Sequence, residues 1–94
     1  MAQYWGTGRL GTHQSVAFTG TAGTITNPMS AGVHKVRVVA TSACYIRIGS
    51  SPTATVSDPY LPANVVEYFT INPGEQVSAI QVSAGGSLSV TEIP

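Results

Sequence analysis

The sequence predicts an all-β protein: a small antiparallel β-sandwich or jelly roll with a flexible N-terminal arm. Three observations carry the prediction. Apolar residues recur at every second position over short runs, and no window repeats at helical spacing for the length a helix needs. The runs are rich in Val, Ile, Thr and Tyr, with Gly, Pro and Asn between them, which is the composition of strands and turns. Seven such runs in 94 residues suit two sheets that close one core between their inner faces.

The expected strands are Ser15–Thr19, Thr24–Thr26, Val33–Thr41, Cys44–Gly49, Val65–Ile71, Gln76–Ser83 and Ser87–Ile93. Residues 1–14 form the arm, and 15–94 a single domain, which is all a chain of this length supports. In "VHKVRVVATSACYIRIG" the residues Val36, Val38, Ala40, Cys44, Ile46 and Ile48 line up on one face if Thr41, Ser42 and Ala43 turn the chain. The pairs are then Val36–Ile48, Val38–Ile46 and Ala40–Cys44. The same register sets Arg37 across from Arg47, a like-charge pairing that calls for Glu67, Glu75 or an acidic partner nearby. His34 shares the parity of Val36 and falls at the edge of the core face.

The next stretch, "SSPTATVSDPYLPAN", holds Pro52, Pro59 and Pro62 and so cannot be a central strand. A connection of this length crosses between sheets or serves function, and Tyr60 and Leu61 within it are placed to cap the core's open end. "NPGE" suits a type II turn with Gly74 at the positive-φ position. "SAGGS" is a second tight turn, which makes the last three strands a meander with Ile80, Val82, Leu88 and Val90 in the core.

Composition excludes several function classes. Charged residues are 9% of the chain and the formal net charge is zero, against about 25% charged in a typical domain. Such a surface has little electrostatic protection against association, so a subunit packed against something is expected. Arg9, Lys35, Arg37 and Arg47 are too few for the basic stripe that nucleic acid requires. No apolar run approaches the roughly 20 residues of a membrane helix. The N-terminus carries no basic leader with an apolar core, so synthesis in the cytoplasm is expected. Cys44 is the single cysteine, which rules out an internal disulfide, and it faces inward as a small apolar side chain.

Catalytic sets are not in view. "GTGRLG", Gly6 to Gly11, has the spacing of a dinucleotide loop, but only five residues precede it and no helical pattern follows. Its glycines suit an extended, flexible arm instead. His13 and His34 are the only histidines and Asp58 the only aspartate, while Glu67, Glu75 and Glu92 fall on or beside different strands. The expectation is no enzyme, no metal and no cofactor. Tyr4 and Trp5 stand out in the arm, either folding back onto the sheet or anchoring in a neighbour.

Three segments, "KVRVVATSACYIRIGSSPTAT", "LPANVVEYFTINPGE" and "SAIQVSAGGSLSVTE", give the chain from Val33 onward a recognisable punctuation. Over that span, about two-thirds of the length, it resembles a family of small structural proteins of tailed bacteriophages. The resemblance implies a virion component, foremost a capsid decoration (cement) protein: a small β-sandwich or jelly-roll oligomer on the head lattice, tying major capsid subunits together. Its partner would be the major capsid protein, its location the capsid surface, and its oligomer a trimer suited to local threefold positions. A tail or neck position would need much the same sequence. The interface candidates are Tyr4, Trp5, Arg9, Lys35, Arg37, Tyr45, Arg47 and Tyr60. The alternative is a small carbohydrate-binding β-sandwich, in which Tyr45, Tyr60 and Tyr68 would stack on sugars.

Overall fold

In the computed structural model, which describes residues 10–94, the alternating runs become eight strands. They are β1 (His13–Phe18), β2 (Gly23–Thr24), β3 (Lys35–Ala40), β4 (Cys44–Gly49), β5 (Tyr60–Leu61), β6 (Glu67–Thr70), β7 (Gln76–Gln81) and β8 (Gly86–Glu92). Two four-stranded sheets face each other, sheet A in the order β1-β8-β3-β6 and sheet B in the order β2-β7-β4-β5. Every pairing is antiparallel.

The order has a simple origin. β1 pairs with β8, β2 with β7, β3 with β6 and β4 with β5, so the first half of the chain lies against the second as one long hairpin. Rolling that hairpin brings β3 beside β8 and β4 beside β7. Of the two architectures anticipated from the sequence, sandwich or jelly roll, this strand order is that of a jelly roll.

The expected β3–β4 hairpin does not form. Val36, Val38, Ala40, Cys44 and Ile46 are all buried and Ile48 packs partly against them, so their inward direction is as expected. However, β3 lies in sheet A and β4 in sheet B, and the residues meet across the core rather than side by side. Side-chain parity says which way a residue points and is blind to which strand lies alongside. The turn is claimed by other partners: Thr41 N–H donates to the Ser87 carbonyl at 3.0 Å and Val82 N–H to the Ala43 carbonyl at 3.3 Å.

The C-terminal meander fails in the same way, since β6, β7 and β8 alternate between the sheets. The turn at Asn72–Glu75 itself is as anticipated. Gly74 has φ +88°, and Glu75 N–H donates to the Asn72 carbonyl at 3.1 Å. Its outer groups bind the β2–β3 connection, Met29 N–H to the Glu75 carbonyl and Gly74 N–H to the Met29 carbonyl, which takes the chain from one sheet to the other. Leu88 and Val90 are in the core, but β7 turns Val77 and Ala79 inward, leaving Ile80 half-buried and Val82 exposed. His34 is exposed because β3 begins only at Lys35; Val33 takes the buried position.

The β4–β5 connection joins two strands of one sheet rather than crossing between sheets, and it folds back over the outer face of sheet B. Ser78 points away from the core, yet it is fully buried beneath this segment. Its hydroxyl accepts from Ala54 N–H and Thr24 Oγ1, each at 3.0 Å, and Thr24 Oγ1 also reaches the Pro52 carbonyl at 3.0 Å. β5 sits at the sheet edge between Pro59 and Pro62, where a missing N–H interrupts no ladder. Leu61 enters the core as expected, whereas Tyr60 does not cap it and is 58% exposed.

The two sides of the sandwich differ. On the β1–β2 side the Gln14 amide and the Asn27 backbone exchange hydrogen bonds at 2.8 and 2.9 Å. Gly23 there runs against the Ala17 carbonyl so closely that a Cβ would collide with it. On the other side, β6 and β5 are the outermost strands of their sheets, and nothing among the described residues pairs with their outer edges.

Candidate interaction surface

The sequence candidates divide between opposite faces. On sheet A, register aligns His13, Thr91, Arg37 and Tyr68 in one row, with Lys35 opposite Thr70. On sheet B, Ile80, Tyr45 and Tyr60 form a row, with Arg47 opposite Ser78. The expected confrontation of Arg37 with Arg47 therefore does not exist. Tyr4, Trp5 and Arg9 lie outside the described residues, as do Gly6 and Gly8. Gly11, expected in the arm, donates its N–H to the Glu92 carbonyl at 2.7 Å and extends the β1 side of sheet A.

Arg47 finds its acid in Asp58, not in Glu67 or Glu75: Nε lies 3.2 Å from Oδ1. The other carboxylate oxygen of Asp58 accepts from Thr55 N–H at 2.7 Å and Thr55 Oγ1 at 3.3 Å. The Thr55 N–H and the neighbouring guanidinium hold the Asp58 carboxyl below the ordinary aspartate range. Glu75 instead braces its own turn, accepting from Asn72 N–H at 2.9 Å.

Exposed apolar side chains concentrate in β5, β6 and the segments leading into them. Of seven large ones among the described residues, five (Val56, Tyr60, Val65, Val66 and Tyr68) fall in residues 56–68. Tyr60 meets Tyr45 edge to face, with ring centroids 6.1 Å apart and planes at 66°. Next to them a cleft of about 320 Å³ opens between the sheets, lined by Ile46, Ile48, Pro59 and Phe69 with the Arg47–Asp58 pair. The cleft exists because β5 spans only two residues and leaves Arg47–Gly49 of β4 without a strand on that flank.

Val56, Val65, Val66 and Tyr68 were not singled out as contact residues by sequence reasoning beyond the sugar-stacking role considered for Tyr68. One signal was available. Glu67 shares the inward parity of Phe69, and an inward-pointing charge is a mark of edge strands.

The remaining chemistry-bearing groups stay apart. Burial pushes the Cys44 thiol up to about 11, which keeps it protonated and unreactive at neutral pH. His13 Nε2 lies 2.7 Å from Ser89 Oγ on the exposed face of sheet A. Among the described residues no three His, Cys, Asp or Glu side chains gather as a ligand set, and no helix is long and apolar enough to cross a membrane. Compared with protein-family models, curated proteins and solved structures, the chain matches none.

Proposed function

We propose that the chain is a virion structural protein of a tailed bacteriophage, foremost a capsid decoration protein that binds the major capsid lattice and acts by contact rather than catalysis. The observation that carries this reading is the run of exposed apolar residues from Val56 to Tyr68 on a chain only 9% charged. Exposed apolar side chains on so weakly charged a surface support a role in contact with another protein. The jelly roll supports it by analogy alone, since that fold serves viral capsid subunits among other roles. Quantitative mass spectrometry of purified virions tests it. Hundreds of copies per particle support a lattice protein, a dozen or fewer place it at the neck or tail, and none removes the virion reading.

The exposed Tyr60 in contact with Tyr45 favours one second reading, carbohydrate binding. Rings at 66° to one another do not offer a sugar a coplanar platform. A glycan array with the wild-type chain and Tyr60→Ala decides between them: binding lost in the variant would support the sugar reading.

A further inference from the structure

We propose that the open side of the sandwich is a self-association surface, on which β6 of one copy pairs antiparallel with β6 of a second copy about a two-fold axis through Tyr68. The inference does not rest on the virion reading and is tested on the isolated chain.

Three observations converge on this side. The outer edge of β6 has no strand partner among the described residues, so its free N–H and C=O groups form a template for another strand. Val65, Val66 and Tyr68 on and just before that strand are about 40% exposed. The opposite side of the sandwich, by contrast, is sealed by the Gln14–Asn27 bonds and the Gly23 approach.

A second copy is the occupant that edge chemistry selects. Two identical strands paired antiparallel are related by a two-fold axis, which closes the assembly at two. Side chains directly opposite each other must lie on the same face, so the axis passes through a residue and not between two. Centring on Glu67 would set like charges directly opposite, which is unfavourable. Centring on Phe69 would set Val66 against Asn72 and Val65 against Pro73 of the second copy, in the turn beyond β6 where Pro73 has no N–H to give a ladder. Centring on Tyr68 sets Tyr68 against Tyr68 and Val66 against Thr70 of the second copy, and uses the whole strand.

The same register supplies charge complementarity. It places Glu67 opposite Phe69 of the second copy, and Phe69 lines the cleft together with Arg47. Only Nε of Arg47 is engaged by Asp58, so the rest of its fork is available to a second carboxylate. Each Glu67 thus approaches the Arg47 of the other copy, twice per pair.

Sedimentation equilibrium of the full chain, with disulfide trapping, tests the proposal. The expected species is a dimer, in place of the trimer that lattice geometry suggests. Tyr68→Cys, whose Cα positions would face directly across the axis, should form an intermolecular disulfide on mild oxidation, while Thr70→Cys should not. Tyr68→Lys should weaken the dimer about fivefold or more by opposing like charges, with secondary structure by circular dichroism unchanged. Glu67→Ala gives the sharpest contrast. If Glu67 contacts the second copy, the variant associates more weakly; if it guards the edge against pairing, the variant associates more tightly. Tighter association, a monomer or trimer in the wild type, or no Tyr68→Cys cross-link each overturns the proposal.

Discussion

Ser78 shows how much one hydroxyl can organise. It is completely buried on the outer side of sheet B, where it accepts from Ala54 N–H and Thr24 Oγ1 and donates to the Gly23 carbonyl at 3.3 Å. Ser78→Ala strands the Ala54 N–H without an acceptor, and an orphaned buried donor costs about 1–3 kcal/mol. The expected result is a fall of that size in the denaturant midpoint stability, with faster amide exchange at Ala54. Asp58 works at the other end of the same connection. Its folded carboxyl titrates below the ordinary aspartate range because of the Thr55 N–H and Arg47. A depressed carboxyl stabilises the fold above its unfolded pKa, and that contribution is lost as pH falls through the lower folded value. The 50–59 segment should therefore loosen progressively as pH falls from the ordinary aspartate range through the lower folded value. Asp58→Asn should loosen it already at neutral pH and remove the acid transition, as followed by NMR of the Thr55 amide.

Among the elements, the strands differ in how far the sequence reveals them. β3 and β4 alternate cleanly because each has one covered and one open face, so Val36, Val38, Ala40, Cys44 and Ile46 are readable as core. β7 is not readable in that way. The β4–β5 connection covers its outer face, so Val77, Ser78 and Ala79 are buried in succession and alternation gives no guide. Ile80 and Val82 then look like core residues only because they are larger than Ala79. Strand pairing was illegible for a different reason: a short turn after a strand allows a hairpin or a step to the facing sheet with identical parity. The open cleft was equally hidden, because it arises from β5 being short, not from any residue type. The β1–β2 approach gives a prediction at this scale. Gly23→Ala places a Cβ on the Ala17 carbonyl, a backbone atom with no room to yield. A loss of about 1–3 kcal/mol, typical of overpacking, is expected by chemical denaturation.

For the whole molecule, the rolled hairpin makes almost every ladder a union of distant segments. Residue pairs such as His13 with Thr91 and Val36 with Glu92 must find each other before the sheets exist. Loop closure precedes reward in such a topology, so refolding should take milliseconds to seconds. Stopped-flow fluorescence of Trp5 and the tyrosines checks this, and a sub-millisecond rate would contradict it. β8 lies between β1 and β3 and so holds two ladders at once. The low charge content leaves partly folded chains little mutual repulsion during that slow search.

The meeting of Gly11 with Glu92 has a practical outcome. A short bridge from Pro94 back to Leu10 would leave every ladder undisturbed, and the chain could then be cut anew near Ser57, at the exposed bend of the β4–β5 connection. In such a rearranged protein the architecture stays the same while the order of synthesis changes: β5 would be made first and β4 last, with β8 and β1 joined through the bridge.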